Sequence, residues 1–215
     1  MNATLTLDHL IQAVDEACSA EAMLAAVEAL ADARLEAAIP KLIAILGYNN
    51  PGAAVAAVDG LIALGEPAVL PLLDLLDNYN YGARAWAIRA LAGLGDPRGL
   101  EVLLEAASND FALSVRRGAA RGLGSLQWEK LSAEEQVPSQ LRCLDVLWQA
   151  LQDPEWVVRY AAVAGVQNLG TALRVSQPTL LPSVLEQVAH NLAQESVLAV
   201  RARLLLAQNH LNHLI

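Results

Sequence analysis

From residue 82 the chain reads Gly82-Ala83-Arg84-Ala85-Trp86-Ala87-Ile88-Arg89-Ala90-Leu91-Ala92-Gly93-Leu94-Gly95-Asp96-Pro97. Small and aliphatic residues fill most of this stretch, as they do in closely packed helices. Glycine then favours the left-handed conformation that ends a helix, and proline is tolerated in the first turn of the next one. The stretch therefore predicts a helix over residues 82–94, a turn and a second helix.

The same pattern recurs along the chain, which predicts a repeat protein. The closing leucines of the copies are Leu64, Leu94, Leu126, Leu169 and Leu211. Ten residues before them stand Ala54, Arg84, Arg116, Arg159 and Arg201. Subtraction of the leucine numbers gives spacings of 30, 32, 43 and 42 residues. Repeats of paired helices form solenoids, in which each unit buries its apolar face on the next.

Composition limits the class of protein further. Hydrophobic residues make up 55% of the 215 residues, whereas aromatic residues make up only 4%, so we expect a core of alanine and leucine. No uncharged apolar run reaches the roughly 18 residues of a membrane span, and Met1 does not open a signal peptide, so we expect a cytoplasmic protein without membrane insertion. A net charge of −9 argues against nucleic acid as a partner, although it leaves room for a local basic groove.

Cysteine and histidine give no sign of a metal site. Cys18 and Cys143 lie in apolar stretches without a CxxC pattern, which predicts two buried free thiols. His210 and His213 are three residues apart near the end of the last predicted helix. We interpret them as a solvated helix end and predict no metal.

Apolar periodicity divides the chain into helices with short connections. Helices are predicted over residues 6–18, 21–31, 35–46, 53–64, 67–76, 82–94, 97–107, 111–126, 139–151, 154–169, 178–194 and 198–212. Ser19 is the expected N-cap of the second helix, and the expected left-handed terminators are Gly65, Gly95 and Gly170. Two longer connections are expected, an extended loop over 127–138 that could include one helical turn, and a second connection over 171–177.

We expect a single α-solenoid domain over residues 1–215. Residues 1–50 are interpreted as an N-terminal cap with a degenerate repeat, and residues 51–215 as the regular repeats. The run Leu204-Leu205-Leu206 is expected to leave the last helix incompletely covered, because a solenoid needs a polar cap at each end.

The repeats resemble the HEAT superfamily and, within it, the HEAT-like repeats of phycobilisome lyases. Three stretches carry the resemblance: Tyr81-Gly82-Ala83-Arg84-Ala85-Trp86-Ala87-Ile88-Arg89-Ala90-Leu91, Gly95-Asp96-Pro97-Arg98, and Ser114-Val115-Arg116-Arg117-Gly118-Ala119-Ala120-Arg121-Gly122-Leu123. Chain length and the insertion around Trp128 are similar to the F-type, or beta, subunit of the E/F heterodimeric phycocyanobilin lyases. The resemblance covers about residues 50–210.

This resemblance implies an all-α, HEAT-like α-solenoid that works as an enzyme subunit. It implies an E-type lyase subunit as the partner, without which the subunit is inactive, and the phycocyanin alpha subunit as acceptor. The pair would bind the open-chain tetrapyrrole phycocyanobilin as substrate, with no tightly bound cofactor, and attach it by a thioether to an acceptor cysteine. The Asn-His-Cys-Gln-Gly-Asn motif of the isomerising lineage is absent from the sequence, so we do not expect isomerase activity.

A bilin carries two propionates, a flat conjugated system and pyrrole N–H groups, so its site needs cations, aromatic faces and a carboxylate. The predicted cations, which would line the concave face of the solenoid, are Arg84, Arg89, Arg116, Arg117, Arg121 and Arg159. The predicted flat surfaces are Tyr79, Tyr81, Trp86, Trp128, Trp156 and Tyr160. Asp110 is the predicted partner of the pyrrole nitrogens. The sequence does not identify a catalytic residue.

A structural alternative exists for several of these residues. Arginine near a helix N-terminus opposes the macrodipole, so another group must hold it there. Asp77, Asp110 and Asp153 precede Arg84, Arg116 and Arg159 by seven, six and six residues, by subtraction, which suits an inter-repeat ladder of ion pairs. Trp86 could equally pack between repeats.

The function has alternatives too. A non-catalytic HEAT-repeat scaffold or chaperone for phycobiliprotein or phycobilisome assembly would use the same repeats, and so would a general solenoid adaptor.

Overall fold

The computed structural model of the chain describes residues 6–77 and 81–214, apart from the side chains of Asp77 and Tyr81. Within these residues the chain forms twelve α-helices and no β-strand. Each predicted helix corresponds to one of them, so the all-α prediction is confirmed. None of the described helices combines the length and apolar character needed to cross a membrane.

The helices divide into two compact units, one ending at Leu94 and the other beginning at Gly95. The first unit contains α1 (Leu7–Asp15), α2 (Ala20–Asp32), α3 (Ile39–Ile45), α4 (Pro51–Leu64), α5 (Val69–Asp77) and α6 (Tyr81–Leu94). The second contains α7 (Leu100–Asn109), α8 (Leu113–Leu123), α9 (Ala133–Ala150), α10 (Trp156–Ser176), α11 (Leu181–Gln194) and α12 (Leu198–Asn212). The single domain and its division after residue 50 stay predictions.

Each unit consists of three helix pairs, in which an odd-numbered helix packs against the even-numbered helix that follows it. The second helices of successive pairs also pack on one another: α2, α4 and α6 in the first unit, and α8, α10 and α12 in the second. Their interiors are filled by fully buried leucines such as Leu61 and Leu169. This is the packing expected of helical repeats, in which each pair covers the apolar side of the next.

Glycine ends two of the second helices as predicted. Gly65 follows α4 with a φ of 78°, and Gly95 follows α6 with a φ of 63°, both in the left-handed region. A Cβ atom on Gly95 would also lie 2.5 Å from the carbonyl oxygen of Ser125. Ser19 caps α2 as predicted, since its Oγ accepts a hydrogen bond of 3.1 Å from the amide of Ala22.

The prediction for Gly170 is wrong, because this residue lies inside α10 rather than at its end. That helix continues to Ser176 through residues that were expected to form a connection. A Cβ atom on Gly170 would overlap the side chain of Leu211 on α12. Close approach of two helices, and not a turn, therefore explains this glycine.

The insertion between α8 and α9 is more helical than expected. Residues Trp128–Lys130 form one 3-10 turn, and α9 begins at Ala133, six residues before the predicted start, with Pro138 inside it. Ser132 and Glu135 form a capping box, in which each side chain accepts from the other residue's backbone amide. The box starts the helix ahead of Pro138, which lies inside α9 without ending it.

A buried carboxylate fastens the insertion to the preceding turn. Asp96 is 5% exposed and accepts hydrogen bonds from the backbone and guanidinium of Arg98 and from Nζ of Lys130, at 2.8–3.1 Å. Hydrogen bonding to Arg98 lowers the pKa of Asp96 well below its ordinary range. The carbonyl of Gly95 also accepts from the amide of Gln127 at 2.7 Å.

Both cysteines are free, but only one is buried. Burial raises the pKa of the Cys143 thiol to about 12. The prediction that Cys18 is buried is wrong, because α1 ends at Asp15 and leaves this residue exposed in the following turn. In the last helix Leu204 is buried, whereas Leu205 and Leu206 are 47% and 61% exposed.

The crossing of α8 and α10 leaves no room for side chains at two glycines. A Cβ atom on Gly124 would overlap the backbone of Gly165, and one on Gly165 would lie 2.5 Å from the carbonyl oxygen of Ala120. The two backbones touch directly, so this crossing fixes how closely the second helices of the second unit can pack.

We expect Gly165→Ala to lower the free energy of unfolding by about 1–3 kcal/mol, because the crossing helices must separate to admit the methyl group. Thermal unfolding monitored by circular dichroism measures the change. Gly52→Ala is the matched control, since a Cβ atom there meets its nearest neighbour at an ordinary 3.5 Å. Equal melting temperatures for the two variants would contradict the close crossing.

Candidate functional site

Positive charge is concentrated on the second helices of the second unit. No aspartate or glutamate occurs in α8, α10 or α12. The arginines on these three helices are Arg116, Arg117, Arg121, Arg159, Arg174, Arg201 and Arg203. Acidic residues lie instead on the first helices, namely Glu101, Glu105, Glu134, Glu135, Asp145 and Glu186. A chain with a net charge of −9 thus carries a local basic surface.

Part of this positive charge is used in an ion-pair ladder between repeats. Nε and Nη2 of Arg116 donate to the two carboxylate oxygens of Asp153 at 2.6 and 3.2 Å. Its Nη1 donates to the carbonyls of Asp110 and Phe111 at 2.8 and 3.0 Å. The hydrogen bond from Arg116 links α8 to the loop before α10, and the carboxylate of Asp153 raises the pKa of Arg116.

Arg159 repeats this geometry one repeat later. Nε and Nη2 donate to the carboxylate of Glu195 at 2.7 and 3.1 Å, and Nη1 donates to the carbonyls of Asp153 and Pro154 at 2.8 and 3.1 Å. In the next repeat, Nη1 of Arg201 donates to the carbonyl of Glu195 at 2.9 Å. Each acid therefore holds two successive arginines, one by its carboxylate and one by its backbone.

The same acids also accept a hydrogen bond from the amide of the N-cap residue of each second helix. Oδ1 of Asp153 accepts from the amide of Glu155 at 2.8 Å, and Oε1 of Glu195 accepts from the amide of Val197 at 2.8 Å. Asp110 is in the corresponding position before α8, and its Oδ1 accepts from the amide of Ala112 at 2.8 Å. A carboxylate that accepts from the amide two residues further on orders the turn that leads into the helix.

The ladder alternative therefore describes the surroundings of Arg116 and Arg159. Each guanidinium already donates four hydrogen bonds to protein oxygens. Asp110 serves a helix start, which leaves less of its carboxylate for a ligand. Contact of these three residues with a bilin stays a prediction.

A second surface lies on the same helices, turned away from the ladder. At 100° per residue, Arg121 points about 140° from Arg116, and Arg203 points about 200° from Arg201. Arg117 and Arg121 are exposed, and the ring of Tyr160 is 41% exposed. We call this surface the arginine face and define it by Arg117, Arg121, Tyr160, Ala164, Gln167 and Arg203.

Arg203 is half-buried and held in place by a neutral amide. Its Nη1 donates to Oε1 of Gln167 on α10 at 2.7 Å. Burial lowers the pKa of Arg203, the phenol of Tyr160 raises it and the charge of Arg121 lowers it. Residues from α8, α10 and α12 therefore lie within electrostatic reach of one another.

Two further hydrogen bonds tie these helices together beside the arginine face. Nδ2 of Asn168 donates to Oγ of Ser125 at 3.0 Å, which joins α10 to the segment that directly follows α8. Oγ1 of Thr171 and Nε2 of His210 are 3.0 Å apart, which joins α10 to α12. The face therefore belongs to a fixed set of three helices.

Sequence reasoning missed Arg203 and Gln167. Arg203 follows the ladder position Arg201 by two residues, so it cannot share the ladder's side of the helix. Counting acidic residues per helix would have shown an arginine without a carboxylate on its own helix. No signal in the sequence marks Gln167, because its role depends on the packing of α10 against α12.

Trp128 lies in the core of the insertion rather than on a surface. The residue is 6% exposed, and its carbonyl accepts from Nε2 of Gln136 at 2.9 Å. Its indole Nε1 has no hydrogen-bond partner among the described residues. Contact between Trp128 and a bilin stays a prediction that its position does not favour.

The remaining predicted residues belong to the first unit or to its undescribed part. On α6, Arg84 and Trp86 are half-buried, and Cζ of Arg89 lies 5.7 Å from the centre of the Trp86 ring. This cation–π contact couples one predicted cation to one predicted aromatic surface. The side chain of Tyr81, and all of Tyr79, lie outside the described residues.

Comparison with known proteins first defines the class. Residues 71–142 match the family described as HEAT repeats, and residues 143–173 match the family described as HEAT repeat. A designed armadillo repeat protein has the same fold, with a TM-score of 0.54 at 17% identity, covering 96% of this chain and 100% of its own. The predicted HEAT-like α-solenoid class is confirmed.

Curated relatives then define the family. The phycocyanobilin lyase subunit beta of Pseudanabaena tenuis is 55% identical, over 97% of this chain and 74% of its own. The phycocyanin alpha phycocyanobilin lyase CpcF of Synechocystis sp. is 54% identical, over 91% of this chain and 92% of its own. The chain belongs to the family of phycocyanobilin lyase beta subunits, as the resemblance predicted.

A solved structure supports the same assignment. A chain in the complex of CpcE and CpcF of phycocyanin lyase from Nostoc sp. PCC7120 has a TM-score of 0.72 and 49% identity. The match covers 80% of this chain and 98% of that chain.

The ladder predicts an acid-dependent loss of stability. The hydrogen bond from Arg159 lowers the pKa of Glu195 below its ordinary value of 4.5. The ion pair therefore contributes fully to the free energy of unfolding above that pH. This contribution is lost as the pH falls through the pKa of Glu195 in the folded protein. At pH 7 we expect Glu195→Gln to lower the free energy of unfolding by roughly 1–3 kcal/mol. The difference from wild type should shrink as the pH falls below about 4.5.

Urea unfolding at several pH values measures this dependence. Glu186→Gln is the control, since it removes the same charge from an exposed position on α11. A Glu195→Gln variant that matches the Glu186→Gln variant at pH 7 would show that the ladder does not stabilise the repeats.

Proposed function

We propose that this chain is the beta, or F-type, subunit of a heterodimeric phycocyanobilin lyase. With an E-type subunit it binds phycocyanobilin and directs the thioether attachment of this bilin to a cysteine of the phycocyanin alpha subunit. The observation that carries the proposal is the acid-free arginine face of α8, α10 and α12 in an acidic protein. Family membership supports the choice of substrate and acceptor.

The nucleophile of this reaction is the acceptor's thiol, so the lyase has to bind and orient the reactants and does not have to supply a nucleophile. Thioether formation adds the acceptor's thiol across a double bond of the bilin, so the sulfur–carbon bond forms and the thiol proton moves to carbon without an oxidant. Holding the two reactants in one orientation can supply much of the rate. We therefore assign no catalytic residue to this chain, and we place the activity in the heterodimer.

The arginine face offers the groups that this binding requires. Arg117 and Arg121 are exposed and lie outside the ladder, so their guanidinium groups face solvent, where a propionate can reach them. Arginine forks match carboxylates better than lysine does. The exposed ring of Tyr160 supplies a flat surface next to them.

The cytoplasm is part of the proposal. Cys18 and Cys143 are both free thiols, which suits a reducing compartment, where disulfides are rare.

A scaffold or chaperone role remains the second candidate because of one specific feature. The first residue of each second helix in the second unit is a large exposed apolar residue: Leu113, Trp156 and Leu198 are 42%, 46% and 81% exposed. These positions repeat in register, three residues before the ladder arginines. Such a row suits contact with another protein and requires no pigment.

Reconstitution in a bacterium without pigments separates the two functions. The cells would make phycocyanobilin, the phycocyanin alpha subunit and an E-type subunit, with or without this chain. We expect bilin on the acceptor band of a denaturing gel, detected by zinc fluorescence, only when this chain is present. Equal attachment without this chain would leave the scaffold role and contradict the lyase proposal.

Charge reversal on the arginine face tests where the bilin binds. We expect Arg117→Glu with Arg121→Glu to reduce attachment by at least about tenfold, because acidic side chains repel the propionates. The matched control is Arg34→Glu with Arg142→Glu, which makes the same charge change at two exposed residues that are not among those that define the arginine face. Circular dichroism checks that both variants remain helical. Normal attachment by the first variant would exclude the arginine face as the site.

A further inference from the structure

The arginine face carries positive charge from two helices that both pack against α10. Arg121 is on α8 and Arg203 is on α12, and the charge of Arg121 contributes to the lowered pKa of Arg203. None of the three helices carries an acidic residue. Like charges repel one another, and Arg203 is half-buried, so an anion that joins the two arginines would be favoured.

The structure holds Arg203 in place without neutralising it. The guanidinium donates to the amide oxygen of Gln167 at 2.7 Å, and an amide adds direction but no negative charge. In the ladder, by contrast, Arg116 and Arg159 are each paired with a carboxylate. Arg203 is therefore oriented while its positive charge remains available to a ligand.

The helix that packs against both α8 and α12 carries a small side chain at the repeat position of Arg121. Ala164 lies five residues after Arg159, as Arg121 lies five residues after Arg116, so both occupy the same position of the repeat. A methyl group on α10 thus stands where α8 carries a guanidinium. Tyr160 and Gln167, one turn on either side of Ala164, complete the surface on which a flat molecule could lie.

We propose that Arg121 and Arg203 form a dicarboxylate site that holds the two propionates of the bilin across Ala164, with Gln167 as the residue that positions Arg203. This inference rests on the proposed function, and it assigns residues and ligand groups to it. A bilin suits the site because its two carboxylates sit on one flat molecule, so both arginines can be neutralised by a single ligand.

The site is tested directly by comparing the affinities of the heterodimer for the free acid of the pigment and for its dimethyl ester. The heterodimer of this chain with an E-type subunit is titrated with phycocyanobilin and with its dimethyl ester, which lacks both negative charges. Absorbance and induced circular dichroism of the pigment report binding. We expect the free acid to bind wild type about 10- to 100-fold more tightly than the ester, as charge-assisted hydrogen bonds imply.

Substitution of Arg203 should remove this preference. In Arg203→Gln we expect the Kd of the free acid to rise by about tenfold or more, with the Kd of the ester little changed. Arg203→Lys should keep part of the preference, because lysine retains the charge but not the fork. Arg142→Gln is the control on α9, and it should bind both forms as wild type does.

Gln167 is tested as a positioning residue. In Gln167→Leu the charge of Arg203 remains but its orientation is lost, so the preference for the free acid should fall to a value between those of wild type and Arg203→Gln. Ala164→Leu should weaken the binding of the free acid and of the ester alike, because it places a larger side chain on the surface where the flat molecule would lie. A preference unchanged in Gln167→Leu would remove Gln167 from the site.

The outcomes separate this inference from the proposed function. If wild type binds both forms equally and still attaches the pigment, the dicarboxylate site is wrong and the lyase stands. If wild type binds neither form and attaches nothing, the proposed function fails. If Arg203→Gln keeps its preference for the free acid but captures the acceptor subunit less well, the arginines recognise acidic side chains of a protein, and the dicarboxylate site is wrong.

Discussion

The second unit depends on one repeated interaction, in which a carboxylate before each second helix pairs with the arginine of the previous repeat. Asp153 and Glu195 each accept two hydrogen bonds from the guanidinium of one arginine and one from the amide of the N-cap residue that follows. Each also offers its backbone carbonyl to the next arginine. The hydrogen bonds to these acidic residues hold each arginine near a helix start, although the helix macrodipole disfavours a positive charge there. The ladder is thus a structural use of charge that fixes the second helices relative to one another.

This arrangement leaves the opposite side of the same helices free for another use. On α8 and α12 one arginine belongs to the ladder, and a second one, Arg121 or Arg203, points about 140° to 200° away from it around the helix axis. Acidic residues are confined to the first helices and the turns, so nothing on α8, α10 or α12 neutralises these arginines. The result is a basic surface on an acidic protein, which favours anionic ligands without favouring nucleic acid.

The fold could be predicted from the sequence because the repeat pattern, the glycine turns and the prolines all indicate helix pairs. The error at Gly170 came from an effect that local rules do not contain, a contact with Leu211 on a neighbouring helix. The early start of α9 was readable in the sequence, because Ser132 and Glu135 have the spacing of a capping box. The site was harder to predict. Spacing alone could not assign arginines to the ladder or to the arginine face, and Arg203 acquires its role only through Gln167 on a neighbouring helix.

The most direct measurement is a crystal structure of the heterodimer with phycocyanobilin bound. The account predicts that both propionates lie on the arginine face, with carboxylate oxygens about 2.7–3.2 Å from the guanidinium nitrogens of Arg121 and Arg203. The ladder pairs of Arg116 and Arg159 should remain intact in that complex. Propionates that replace Asp153 or Glu195 in the ladder, or that lie away from α8, α10 and α12, would contradict it.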